Sequence, residues 1–449
     1  MQAIKNMLGM GEEGPPPRIT SEPWGTYGGE EVRALSSAWI CSPRTLLRPA
    51  LVLQLRRVLS LEGSPAPCCP VCVFVRRRRP TPDDLGVRQG EAATLYTISN
   101  GGISASVTDL GATLVRLMLP DKSGELADCV LGYDAADALD DDDPTDPKGP
   151  YFGASVGRVA NRTAVGKFTV DGKDYSLAIN NGPNSLHGGI EGFSWKFWTT
   201  TVIDTPGAPP ALRFEYTAAD MEEGFPGECI ATVVYSVSDA GELKVEMEAT
   251  VSKKCPVNFA NHSYFNLAGH ASGDILGHTL HLNCDRYTPT DDTQIPTGEI
   301  RPVAGTPFDF TAQGAGAHTI GERIGDVEEA DGFPDCQGYD HNFVINTGGI
   351  GGNPAALTLA AAAAEPESGR TMELYTNVPG VQFYTGNFID GQVGKGGSAY
   401  GKNAGFALET QHFPNSVNTP NFPSCLLEPG QVYSHTMLYR FGGGPAAKL

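Results

Sequence analysis

An all-β fold, one large antiparallel β-sandwich preceded by an unstructured N-terminal extension, is predicted by three observations. From about Ala92 onward, short segments of alternating apolar and polar residues are divided by Gly, Pro, Asn and Asp, which is how antiparallel strands and their turns are encoded. Helical periodicity is scarce over the same span. Ahead of it, Pro15 to Pro17, the stretch Pro65 to Pro70 and the arginine run Arg76 to Arg79 have the composition of a poorly ordered chain. The expected division is a poorly ordered or targeting extension over residues 1–90, of unassigned role, and one domain over 91–449.

The elements follow in order. Gly166 to Val170 and Lys173 to Leu177 flank Asp171-Gly172, a strong two-residue hairpin signal. Trp195 to Thr201 and Leu212 to Thr217 read as strands rich in aromatic and β-branched residues. Cys229 to Val237 and Gly241 to Val251 form a second hairpin around Asp239-Ala240-Gly241. Met372 to Tyr375 and Val381 to Tyr384 complete the clear strands. The alanine run 360–364 and the glycine cluster 348–352 read as loop or strand-end filler. Asp140 to Asp143 reads as a solvated acidic loop, since the glycine and further ligands of a calcium loop are missing.

Charge is divided between the two parts. Residues 1–90 hold 12 Lys and Arg against 8 Asp and Glu; the remainder holds 20 against 44. So acidic a body repels phosphate backbones and anionic lipid surfaces, which excludes nucleic acid and membrane as expected partners. No run of 18 apolar residues is present to span a bilayer. Of the 10 cysteines, Cys41, Cys68, Cys69 and Cys72 lie in the extension, and the others are scattered singly. That is no disulfide framework, and it suits a reducing compartment. A cytoplasmic location is expected, with organelle import through the extension as the alternative. The acids Glu12, Glu13, Glu22, Glu30 and Glu31 argue against a transit peptide. Cys69-Pro-Val-Cys72 has the spacing of a redox or zinc half-site without a second pair.

No dinucleotide or phosphate loop follows a strand. His187, His262, His270, His278 and His281 match no zinc spacing, so neither metal nor cofactor is expected. Two segments carry proton-transfer chemistry instead: Asn261-His262-Ser263-Tyr264-Phe265-Asn266-Leu267 and Leu408-Glu409-Thr410-Gln411. A histidine and a glutamate that meet across one site can protonate one substrate atom while deprotonating another.

These two strings do not stand alone. Gly157-Arg158-Val159-Ala160-Asn161-Arg162, Asn184-Ser185-Leu186-His187-Gly188-Gly189, Tyr339-Asp340-His341-Asn342-Phe343 and the segment from Pro379 through Gln382 to Phe388 accompany them in order. Together, over essentially Ala92 to Phe441, the six strings resemble the aldose 1-epimerase, or galactose mutarotase, family; residues 1–90 match nothing comparable. The resemblance implies a mutarotase-type supersandwich with its site on a concave sheet face. It implies an isomerase that interconverts the α and β anomers of free aldohexoses such as galactose and glucose, acting as a monomer or weak dimer. By the same resemblance Glu409 is the base at the C1 hydroxyl and His262 the acid at the ring oxygen. Asn161, Arg162, His187, Asp340 and Gln382 are the substrate-binding residues.

The residue types suit those roles. An unperturbed imidazole titrates near ~6.5, and a free glutamate near ~4.3 is already ionised at neutral pH. Arg162 offers a fork of donors, Asp340 two acceptors and Gln382 one of each kind. Phe265, Phe343 and Phe383 are candidates for stacking on the sugar, against the commoner alternative that strand aromatics face inward. Each site residue also has a plainer reading: His262 or His187 as a satisfied core histidine, Glu409 as a solvent-facing strand carboxylate, Arg162 and Asp340 as a structural ion pair. His341 and His412 read as structural. Thr163 and the Asn415 to Pro420 loop depart from the family pattern, which bears on substrate preference more than on activity. Two alternatives remain: a hexose-6-phosphate mutarotase, which needs additional basic residues around the site, and a non-catalytic sugar-binding protein.

Overall fold

Alternation along the chain is folded into two large antiparallel sheets, a five-stranded one and five two-stranded ribbons in the computed structural model, which describes residues 18–26, 92–136, 149–327, 338–346 and 356–443. Expectations for Cys69 to Cys72, Arg76 to Arg79, Asp140 to Asp143 and the glycine cluster 348–352 lie outside these residues. Among the described residues helical structure is confined to short 3-10 turns and the single residue Val327, and no helix is long and apolar enough to cross a membrane.

The nine-stranded sheet runs Thr199–Ile203, Ala211–Ala218, Cys229–Val237, Glu242–Val251, Tyr433–Gly443, Arg370–Thr376, Thr358–Ala364, Thr279–Leu282 and His318–Thr319. The six-stranded sheet runs Tyr264–Phe265, Phe406–Gln411, Gly380–Tyr384, Asp340–Val344, Arg286–Thr288 and Arg301–Pro302. One continuous core holds Val245, Met247, Leu374 and Met437 from the first and Phe265, Phe343, Phe383 and Leu408 from the second. Phe265 meets Tyr439 across it at a ring separation of 5.4 Å. Because side chains alternate along a strand, burying one face of the six-stranded sheet leaves its other face free for a site.

Both sequence-derived hairpins form. Asp171 and Gly172 have φ of 50 and 76, the pair of positive values that a type I′ turn requires. Two readings are corrected. The alanine run is an interior strand, Thr358–Ala364, with Ala360 to Ala363 buried. Alanine has little strand preference of its own, and pairing on both sides overrides it. The segment beginning at Trp195 enters the sheet only at Thr199, because Phe193–Trp195 is a 3-10 turn.

A third difference lies near the N-terminus. Ile19–Thr26, inside the segment expected to stand apart from the domain, pairs antiparallel with Ala92–Asn100 at the edge of a five-stranded sheet. Pro23 obscures it in the sequence, but an edge strand tolerates proline, here with a register shift between Pro23 and Gly25. Trp24 is buried against Ala93, Leu95, Leu110 and Val115. Trp24→Ala is therefore expected to lower the free energy of unfolding by about 3–5 kcal/mol, read from the denaturant midpoint. An unchanged midpoint would detach this strand from the fold.

Candidate active site

Strand parity builds the site. In the six-stranded sheet Asn342 pairs with Gln382 and Gln382 with Glu409, while Asp340 pairs with Tyr384, Tyr384 with Ala407 and Ala407 with Tyr264. Cross-strand partners share a face, so Asp340, Gln382, Glu409 and Tyr264 all project from the face opposite the main core, where Tyr264 also packs in a smaller apolar cluster with Tyr384 and Ala407. Phe265, Phe343 and Phe383 have the opposite parity and are fully buried in the core, which removes them as stacking surfaces. His341 also faces inward, against the Phe308 ring at 4.6 Å.

His262 is presented by the short connection between Ala260–Asn261 and Tyr264–Phe265. Its backbone N–H donates to the Ala154 carbonyl, its own carbonyl accepts from Gly153 N–H, and Asn261 Nδ2 donates to the Gly153 carbonyl and to Tyr235 Oη. The imidazole is stacked between Tyr264 (4.9 Å) and Tyr151 (6.1 Å) and meets His187 edge-on at 5.1 Å. Its Nε2 lies 3.6 Å from Glu409 Oε1. Both side chains are almost wholly buried, and neither His262 Nδ1 nor Glu409 Oε2 has a hydrogen-bond partner among the described residues. Buried polar atoms left unpaired by the protein are suited to a ligand dense in hydroxyls.

His187 and Asn161 stabilise one another. His187 N–H donates to the Asn161 carbonyl, and Asn161 N–H donates to His187 Nδ1 at 3.2 Å. Both residues are left-handed, with φ of 49 and 60, a cost accepted most readily by Asn, Asp and His. Asn180 braces the loop by donating to the Leu186 and Gly189 carbonyls and accepting from Leu186 N–H. Gly188 is obligatory in it: at φ 88 a Cβ would stand 1.9 Å from the Gly157 carbonyl oxygen.

Arg162 lies on the two-residue strand Arg162–Thr163, paired with Ser185–Leu186. Its Nε donates to Asn181 Oδ1 at 2.9 Å, its Nη2 donates to Gln294 Oε1, and its Nη1 is 3.9 Å from Asp340 Oδ2. Gln382 Nε2 donates to Asp340 Oδ1 at 2.7 Å and Gln294 Nε2 to Asp340 Oδ2 at 2.6 Å. All seven residues singled out from the sequence thus belong to one connected set. Tyr151, Tyr264 and Gln294 join it without having been singled out. Tyr264 stands inside the His262 string, and parity with Glu409's strand would have marked it. Asn261 and Asn161, which both match the glycan acceptor pattern, are too buried to carry one.

Electrostatics at the pair depart from the free amino acids. Burial pushes the His262 imidazole down to about 4, and it holds the Glu409 carboxyl well above its ordinary range, helped by Asp340 and opposed by Arg162. His187 is also held well below the ordinary histidine value, by burial and by the neighbouring His262 and Arg162. Donor atoms of His187, His262 and Glu409 lie within 4.8 Å of one another, close enough to surround a cation. However, His187 Nδ1 accepts the Asn161 N–H, so in the neutral ring Nε2 carries the proton and has no lone pair for a metal. That nitrogen can serve only as a hydrogen-bond donor.

Comparison with known proteins agrees in extent and kind. The aldose 1-epimerase family profile matches residues 94–440. The chain is 42% identical over 348 residues to galactose mutarotase of Sus scrofa, covering 77% of this chain and 93% of that one. It is 35% identical over 355 residues to aldose 1-epimerase of Escherichia coli K12, covering 78% and 96%. Among solved structures, the GalM/aldose epimerase homologue from C. elegans aligns with a TM-score of 0.66 and 31% identity, over 78% of this chain and 98% of that one.

Proposed function

The chain belongs to the aldose 1-epimerase family, and from that premise we propose that Glu409 and His262 are the base and the acid of its anomerisation reaction. The protein is a mutarotase, an isomerase that needs only to open and re-close a cyclic hemiacetal. The observation that carries the residue assignment is the 3.6 Å approach of His262 Nε2 to Glu409 Oε1 on the polar sheet face.

The Glu409 carboxylate takes the proton of the C1 hydroxyl, O1 forms a double bond to C1, the bond from C1 to the ring oxygen breaks, and that oxygen takes the proton from the His262 imidazolium. The products are the open-chain aldehyde, a neutral imidazole and a carboxylic acid. Rotation about C1–C2 turns the other carbonyl face to the hydroxyl. Re-closure then runs the transfers backwards: imidazole removes the hydroxyl proton and the Glu409 carboxyl returns one to O1. The pair carries one proton throughout, on His262 before opening and on Glu409 before closure.

Burial decides which isomer of the pair predominates. A dry site disfavours two charges, so the empty enzyme holds the proton on Glu409, ready for the closing half-reaction. Arg162, which lowers the Glu409 value, keeps the charged isomer within reach for opening. Asn161, His187, Arg162, Asp340 and Gln382 hold the hydroxyls. Free hexoses such as galactose and glucose are the proposed substrates, rather than their 6-phosphates. Arg158, the other arginine of the recognised strings, donates to the Pro226 and Gly227 carbonyls, which leaves Arg162 as the arginine of the set.

Polarimetry on freshly dissolved α-galactose and α-glucose, beside the 6-phosphates and across pH, tests this reading. Activity requires one proton on the pair. It falls at low pH as His262 gains a second and at high pH as Glu409 loses the last. Because the His262 value is depressed to about 4, the acid limb is expected below pH 6 instead of near ~6.5, with the alkaline limb displaced upward from the ordinary glutamate range. An acid limb centred near ~6.5 would mean that a solvated histidine controls turnover. Preference for a 6-phosphate would favour the rival substrate class.

A further inference from the structure

We infer that Gln294 is a positioning residue for hexose binding, acting as a spacer that keeps Arg162 and Asp340 apart so that both remain available to sugar hydroxyls. This rests on the site proposed above. Gln294 lies outside every recognised string, in a turn tied by Asp291: the Asp291 carbonyl accepts Gln294 N–H, and Asp291 Oδ1 accepts from Thr293 N–H, Thr293 Oγ1 and Ile295 N–H. The Thr293 carbonyl accepts from Asn184 Nδ2, which fastens the turn to the His187 loop. The residue is left-handed, φ 62, and only 8% exposed. A glutamine held in that conformation with its amide buried calls for a reason.

The amide joins the two charged groups. Its Oε1 accepts from Arg162 Nη2, and its Nε2 donates 2.6 Å to Asp340 Oδ2. Gln382 Nε2 occupies the other carboxylate oxygen at 2.7 Å, and the direct approach of Arg162 to Asp340 is a loose 3.9 Å. Arginine and carboxylate left to themselves favour a bidentate pair, which would use up two donors and both acceptors. An interposed amide satisfies one hydrogen-bond site on each and prevents that collapse. Arg162 then keeps donors, and Asp340 lone pairs, aimed at a hydroxylated ring.

Gln294→Asn tests the spacer without endangering the fold. Asparagine keeps the amide but is one methylene too short to span the gap, and it tolerates positive φ better than glutamine. The expected result is a KM for galactose raised about tenfold, the loss of one hydrogen bond to a charged group, with kcat within about threefold and the unfolding midpoint unchanged or higher. Gln294→Glu, of full length but carrying a second carboxylate toward Asp340, should raise KM more at pH 8 than at pH 5. A KM unmoved in Gln294→Asn, or a loss confined to kcat, would overturn the inference. Inactivity of the unaltered protein in polarimetry would instead overturn the site on which it rests.

Discussion

Glu409→Gln is expected to lower kcat for α-galactose by about 10³-fold, within the ~10²- to 10⁴-fold that a positioned proton-transfer group contributes, and to leave the fold intact. Glutamine has the shape of glutamate and still hydrogen-bonds to the C1 hydroxyl, but it cannot take its proton. The loss therefore belongs in kcat, with KM little changed. Stability gives an independent readout. Glu409 is 2% exposed, its Oε2 has no partner among the described residues, and burial holds its carboxyl well above the ordinary range, so ionisation at this position opposes folding. A neutral amide removes that penalty, and the unfolding midpoint should stay level or rise as pH increases through the range where the wild-type carboxyl is forced to ionise. The sign follows from linkage: an acid whose folded-state value is raised destabilises the protein above its unfolded value. Polarimetry together with denaturant unfolding at two pH values checks both halves. A variant retaining more than about a tenth of wild-type kcat would remove Glu409 as the base.

Much of this arrangement is legible in the sequence, and what is not has particular causes. The Asp171-Gly172 hairpin is local and signalled by turn chemistry, so it reads directly. Ile19–Thr26 does not, because its partner begins at Ala92 and a pairing so distant leaves no local trace. The alanine strand is invisible to propensity, since only its neighbours on both sides make it a strand. At the site, the family resemblance carried by the six strings points to His262, Glu409 and the five binding residues, yet it does not give the electrostatics. Unperturbed values would make His262 the ready acid and Glu409 the ready base; burial of both moves each in the opposite direction. Gln294 escapes for another reason. Its importance depends on standing between Arg162 and Asp340, which lie far from it along the chain.

His262→Asn is expected to reduce kcat by a comparable ~10²- to 10⁴-fold, and its pattern of effects can separate the acid from a binding residue. Asparagine can donate a hydrogen bond to the ring oxygen but cannot deliver a proton. It is also smaller than the imidazole held between Tyr151 and Tyr264, so a stability loss of about 1–3 kcal/mol from imperfect filling should accompany the kinetic loss. Carrying out the assay well below the new unfolding midpoint keeps the two apart. The neighbouring His187 supplies the control. Its Nδ1 accepts the Asn161 N–H, so its ring is fixed as a donor, and His187→Asn should act mainly through KM. If acid and base work as one unit, the double variant Glu409→Gln, His262→Asn should be within about tenfold of either single variant, since neither transfer accelerates the reaction without the other. Losses that multiply would mean the two side chains act in separate steps. Activity retained in His262→Asn and abolished in His187→Asn would move the acid to the other imidazole, 5.1 Å away ring to ring.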